Sequence, residues 1–426
     1  MTAELDSIKV VNLSTGKEFT NWESVTISSE FLTPCDSFSL TCGAEIAGPD
    51  LAKQIASYPK DNKAAAIQIL INDKPQITGF VDKLSVSCDR GGTKVMVTGR
   101  DILAPIVSGN VDPRMPIPKE TTIAGLVELV VFKQFSKAYA IFESDIASDI
   151  AIGAKVGGKK KKYESRHKRD LTIKDLKPHD NEGAFSYLSR ILQHYGYWLW
   201  AAQDGSGVVI GGPDYDQEPA YELIRRHDPG SAKGIGRANN IVAGALSQDE
   251  TDVPSHVYVR GVDGGGGQKA AVKGMNSNPF VTNFVPAYLM DKDATSKEQA
   301  ERIARLFMAK KMRNYLTYDC TVAGFSDRKT GGIYNVNAVA KVADEKTGTD
   351  GRMWVESRTF RKTRSEGSVT EMKLIPLGTL VLDWQSDESI TGVKPYPEAA
   401  KDVATKAPAK TGTFEVGDVS YWQSQG

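Results

Sequence analysis

Polar and apolar residues alternate along the first hundred residues in short runs broken by turn chemistry, the pattern of half-buried strands. Ser24–Ser28 (SVTIS) and Ser37–Thr41 (SFSLT) alternate, with a break at Thr33-Pro34 between them. Ala66–Ile71 (AIQILI) leads through Asn72-Asp73-Lys74-Pro75 into Ile77–Val81, a hairpin signature. Lys83–Cys88 alternates again, Asp89-Arg90-Gly91-Gly92 turns the chain, and Lys94–Thr98 answers it. Short antiparallel strands at this spacing predict a small sandwich or barrel over residues 1–108.

From about residue 109 to 235 the period lengthens. Thr121–Phe135 opens on threonines able to cap and carries apolar residues at helical spacing. Asn181–Tyr195 predicts a second helix with Phe185, Leu188, Ile191, Leu192 and Tyr195 on one face and Gly196 as its stop. Tyr197–Ala201 (YWLWA), the turn Asp204-Gly205 and Gly207–Ile210 follow as a hairpin, which makes this region α+β. Apolar residues on both sides of Tyr197–Ala201 predict burial on both faces, one by the chain's core and one by an interface.

Strand alternation returns over 236–378, in His256–Arg260, Thr317–Ala323, Ile333–Val342, Met353–Phe360 and Ser368–Ile375. An amphipathic helix at 296–315 is inserted among them, its stripe formed by Ala300, Ile303, Ala304, Phe307 and Met308. The two strand-rich flanks look alike in kind, with little residue-level repeat between them. Residues 379–426 lose the pattern, and Lys394–Gly412, rich in Pro, Ala, Lys and Thr, predicts an extended tail.

Composition narrows the function classes. A 426-residue chain with 40% hydrophobic and 25% charged residues folds, and its length implies two to four domains. Lys+Arg and Asp+Glu are equal at 53 each, so no net charge draws the chain to nucleic acid or an anionic membrane. No apolar run is long enough to span a bilayer, and the first residues predict no secretion signal. Cys35, Cys42, Cys88 and Cys320 form no CxxC pair, which predicts reduced thiols in a cytoplasm-like compartment.

The candidate chemistry is sparse. The five histidines lack the spacing of a zinc site. Gly261–Lys269 (GVDGGGGQK) lacks the GK[ST] ending of a phosphate loop, and a long flexible loop over about 261–285 is expected instead. No cofactor is expected. Glu143 with Asp145, or Asp249 with Glu250, would suit a glycosidase only across a cleft that nothing in the sequence marks. The sharpest local anomaly is the basic insertion at 156–169. There Lys159, Lys160, Lys161 and Lys162 are followed by Arg166, Lys168 and Arg169. It reads either as a solvated loop or as a contact for an acidic partner or for DNA.

The order of several short motifs resembles the Mu-type baseplate hub proteins of contractile phage tails, kin of the late-control-D proteins and of type VI spike hubs. Trp22–Ile27 and Asp36–Leu40 resemble the opening strands of that family. Gly79-Phe80-Val81-Asp82 is similar to its G-x-V-D hairpin, and Val97-Thr98-Gly99-Arg100-Asp101 to its V-x-G-R-D strand end. Ala184–Arg190 with Tyr195-Gly196-Tyr197 resembles its helix and following strand. Tyr334–Asn337 and Trp354–Ser357 resemble its late strands.

The resemblance implies an α+β, β-rich, tube-like hub with two small β-barrel domains joined by α+β domains. It implies a homotrimer without catalysis, located in the virion's tail baseplate and assembled in the host cytoplasm. Its partners would be the tail tube protein, a trimeric spike, baseplate wedge proteins and a tape-measure protein, with DNA as transient cargo. The alternatives are the hub part of a secretion-type injection spike, or a tail-associated cell-wall hydrolase.

Overall fold

The computed structural model describes residues 6–380 except for several segments, the longest being 44–65, 153–176, 227–238 and 262–272. The chain opens with β1 (Ile8–Asn12), β2 (Lys17–Phe19), β3 (Ser24–Glu30), β4 (Ser37–Gly43), β5 (Ala66–Ile71), β6 (Lys74–Asp89) and β7 (Gly92–Asp101). Asn72 and Asp73 both take positive φ (50° and 61°) between β5 and β6, the geometry of a two-residue hairpin loop. The runs Ile77–Val81 and Lys83–Cys88 are one strand, β6, bent at an irregularity between Val81 and Lys83.

The middle holds α1 (Ala104–Ser108), α2 (Ile123–Glu128) running into a π turn (Leu129–Gln134), β8 (Ala140–Asp145), β9 (Ser148–Ile152), α3 (Ala184–His194), β10 (Trp198–Ala201) and β11 (Gly207–Gly211). Its four strands make a sheet in the order β10-β11-β8-β9. Leu188, Ile191 and Leu192 of α3 are buried with Val127, Val130 and Leu199, as the helical spacing predicts. Tyr187, outside the predicted stripe, is fully buried too.

The rest comprises β12 (Tyr221–Arg225), β13 (Ile241–Gln248), β14 (His256–Arg260), β15 (Lys273–Ser277), β16 (Pro286–Met290), α4 (Lys297–Met312), β17 (Leu316–Ala323), β18 (Val339–Asp344), β19 (Thr349–Thr363) and β20 (Gly367–Pro376). β15 lies within the expected loop over 261–285, a correction: its sequence KGMNS has no apolar alternation to announce it. α4 packs on a three-stranded sheet, β15-β14-β16. Ala300, Ala304 and Met308 of its stripe are fully buried there. Gly274 sits so close beneath α4 that a Cβ would strike the Ala300 backbone. The expected strand Ile333–Val342 begins only at Val339, because Asn337 takes a left-handed φ of 60°.

Both flanks belong to one 13-stranded sheet, and no closed barrel is found among the described residues. Within that sheet the flanks repeat one strand order. The first runs β3-β4-β7-β6-β5-β1, and the second β13-β17-β20-β19-β18-β12. Every pairing is antiparallel except β12 with β18. β19 is bent between Val355 and Ser357, as β6 is between Val81 and Lys83. The unit β14–α4 is inserted between β13 and β17, where the first flank has only the short β3–β4 turn. The flanks join where Ser24–Glu30 of β3 pairs with Ser357–Thr363 of β19. One core runs beneath both, from Ile27, Leu40, Ile69 and Val97 to Tyr318, Val342 and Met372.

Candidate functional site

The basic candidates Lys159, Lys160, Lys161, Lys162, Arg166, Lys168 and Arg169 lie outside the described residues, as does the tail from 381. His167 and His227 also lie outside the described residues, and no metal-binding cluster occurs among the described ones. His256 sits beside the Ser255 hydroxyl at 2.9 Å and stacks on Tyr258. Asp249 and Glu250 line an open groove of about 530 Å³ with Val253, Val281 and Val285. Asp249 accepts from the Thr251 side chain and amide, which together hold its carboxyl below the usual range. Glu250 accepts from Gln248 and Tyr315.

The motif residues do structural work, and the geometry says why these residue types are needed. Gly79 lies opposite Asp101, and Gly99 opposite Val81, beside the β6 bend. A Cβ on Gly79 would fall on the Arg100 carbonyl oxygen, and one on Gly99 on the Phe80 carbonyl oxygen. Replacing Gly79 by alanine is therefore expected to destabilise the fold by about 3 kcal/mol, at the upper end of overpacking costs, read as a lower urea midpoint. Asp82 and Arg100 form a two-pronged pair (2.6 and 3.1 Å) across the same bend. Asp101 accepts the backbone amides of Asp36 and Leu103, fixing the approach to α1. Arg190 of α3 grips Glu182 at 2.8 and 3.0 Å.

The aromatic strand β10 is covered on both faces by its own chain. Leu199 joins the α3 core, while Trp198 and Trp200 meet Phe31 with ring centroids 5.7 and 5.3 Å apart. The interface expected on one face gives way to an internal joint. Trp354 completes it, edge-on to Phe31 at 5.1 Å and donating from Nε1 to Asn337 Oδ1 at 3.0 Å.

Charge is concentrated where the two flanks meet. Arg358 is fully buried, donates to Ser29 Oγ at 2.9 Å and lies over the Phe360 ring at 3.9 Å. Ser29 in turn donates to Asp36 at 2.6 Å. Burial pushes the Arg358 guanidinium down to about 10 and the Asp36 carboxyl up. Buried Glu356 receives Arg313, which also reaches Glu30, and Lys373 Nζ lies 3.1 Å from its other oxygen. The motif resemblance takes in Asp36 and Glu356 without assigning them a role, and nothing in the sequence singles out Arg358, Arg313, Glu30 or Lys373. Alternation alone does not reveal them: it breaks at Glu356, with Trp354 in the aromatic joint and Val355 and Phe360 facing the main core.

A third buried cluster braces the second flank. Asp344 takes Arg225 Nε at 2.7 Å, the Tyr318 hydroxyl at 2.7 Å and the Thr347 hydroxyl at 2.8 Å. Burial opposes its ionisation, and these donors outweigh burial, so the carboxyl is held well below the usual carboxylate range. A depressed folded value means stability present above about pH 4 and lost as pH falls through the folded value. Asp344→Asn is expected to lose about 3 kcal/mol at pH 7, with the gap narrowing toward pH 2 in urea titrations. A gap independent of pH contradicts this.

Large exposed apolar side chains lie in three places. Val86 and Met96 lie on the β6–β7 hairpin, with Val242 and Leu246 on β13. Met275, Tyr288, Met290 and Phe284 lie on or beside the β15-β14-β16 sheet, on the side away from α4.

Comparison with known proteins agrees with the motif order. Residues 9–101 match the model of the Mu phage baseplate assembly protein GpP-like, N-terminal domain. The tail protein from Neisseria meningitidis MC58 superposes with a TM-score of 0.66 at 21% identity, covering 88% of this chain and 98% of that one. The 43 kDa tail protein of prophage MuSo2 from Shewanella oneidensis gives 0.64 at 18% identity, over 87% and 98%. No curated protein sequence matches the chain. The chain thus has the fold of phage tail proteins, and its residues 9–101 match the Mu baseplate GpP-like family that its motifs resemble.

Proposed function

We propose that the chain is a structural hub of a contractile-tail baseplate, acting as a homotrimer without catalysis. The observation that carries this reading is the repeated strand order. A subunit with two equivalent six-strand units gives a trimer six of them, around an axis that is still threefold. Such a ring fits a hexameric tail tube on one side and a trimeric spike on the other. The two six-strand units stand in this reading for the two barrels. Wedge proteins pack around the rim, and a tape-measure protein and then DNA pass through the channel. The basic insertion at 156–169 serves as a contact for an acidic partner or for that cargo. The virion's baseplate is the location, reached from the host cytoplasm.

The test is genetic and biochemical together. Particles made without this chain are expected to lack an assembled baseplate, and the purified protein is expected to leave peptidoglycan suspensions turbid. Normal baseplates in its absence, or clearing of the suspension, would overturn the reading.

A further inference from the structure

The seam inside the chain supplies a template for a seam between chains. Within the repeat, β3 of the first unit corresponds to β13 of the second, and β19 of the second to β6 of the first. β3 pairs with the part of β19 beyond its bend. The counterparts, the part of β6 beyond its bend and the outer side of β13, pair with nothing else as strands among the described residues. An exposed strand edge bearing apolar side chains is a template for another chain.

Two markers fix a register. Ser357 and Lys83 are each the first paired residue after the bend, so Phe360 corresponds to Val86. On the other side, Phe38, Leu40 and Cys42 of β4 face the core as Tyr318, Cys320 and Val322 of β17 do. Phe38 lies opposite Ile27, and Tyr318 opposite Leu246, so Ile27 corresponds to Leu246. Since Phe360 pairs with Ile27, Val86 is due opposite Leu246. These are two of the exposed large apolar side chains, 53% and 43% exposed. The same register sets Lys83 opposite Asp249, two opposite charges, as Ser357 is set opposite Glu30. The Gly244 carbonyl already takes Arg225 at 3.3 Å, which leaves Ala245–Gln248 as the open run of β13.

We propose that copies of this chain join edge to edge, the outer half of β6 in one copy pairing antiparallel with β13 of the next, with Val86 opposite Leu246. The contact is head-to-tail, because each copy offers one edge of each kind, and it closes into a ring when the rotation between copies allows. The hub reading supplies the number of copies, and the proposal rests on that reading for the number alone.

Paired cysteines test it. Val86→Cys and Leu246→Cys are introduced in a Cys88→Ser background, since Cys88 is an exposed thiol two residues from Val86. Both positions are exposed, so the fold tolerates the changes, which circular dichroism verifies. Mild oxidation of the double variant is expected to give covalent dimers and then trimers on non-reducing gels. Mixing the two single variants is expected to stop at the dimer, since each copy then carries one thiol of the pair. Cross-linking confined to one chain overturns the proposal. A species of three chain masses that never cross-links overturns this contact and leaves the hub reading standing. A monomer at every concentration, without cross-links, overturns both.

Discussion

Replacing Trp354 by alanine is expected to cost about 3–5 kcal/mol, as deletion of a fully buried aromatic side chain does. Its ring is completely enclosed and touches elements from all three parts of the chain. Phe31 follows β3, Tyr215 follows β11 with its centroid 5.6 Å away, and Ile375 and Leu377 come from the end of β20. The tilted and edge-on ring contacts add to the burial. The indole N–H donates to Asn337, whose left-handed backbone sets the path into β18, so the loss also removes one of the two donors, with the Asp214 amide, on that half-buried oxygen. The effect is read as a shift of the urea midpoint. Trp200, half-buried at the rim of the same cluster, is expected to cost less than half as much. A loss below about 1 kcal/mol for Trp354 would mean that the three parts do not depend on this joint.

Glu356→Ala is expected to rank beside it, at about 3–5 kcal/mol, because removing one partner strands the others. Its carboxylate has no exposure and sits between Arg313 and Lys373, with Arg313 also bound to Glu30. Arg313 follows α4, Glu30 ends β3 and Lys373 lies on β20, so one acid ties the inserted unit to both flanks. The backbone there is committed as well, since the Phe31 amide donates to the Glu356 carbonyl. Glu356→Gln keeps the shape and one acceptor oxygen, enough for one of the two cations, and is expected to recover less than half of the loss. Equal losses for alanine and glutamine would assign the role to charge alone, and no loss for either would contradict the account.

Much of this was legible because alternation is strong where one face is buried and the other wet. β3, β4, β5 and β7 show it, and so do β17 and β20. The stripes of α3 and α4 were legible for the same reason at helical period. β13 was not, since IVAGALSQ is a mostly exposed edge with little apolar contrast. β15 was missed on similar grounds. The joining of the flanks into one sheet was invisible, because β3 and β19 are more than 320 residues apart and nothing local in either names its partner. The motif glycines were seen as resemblance, but their reason, backbone against backbone at the β6 bend, appears only with the partner strand in place. The candidate site fared differently. The basic run that stood out in sequence falls outside the described residues, while the buried acids and arginines at the seam were hidden among strand residues.

The repeated strand order and the two unpaired edges make one claim together: this chain is built to join copies of itself. Light scattering on the purified protein across a range of concentrations tests it most directly. The account requires a species of three times the 46.3 kDa chain mass, weakened when Val86 and Leu246 are changed to lysine. A strict monomer at every concentration, or a trimer indifferent to both lysines, would contradict it.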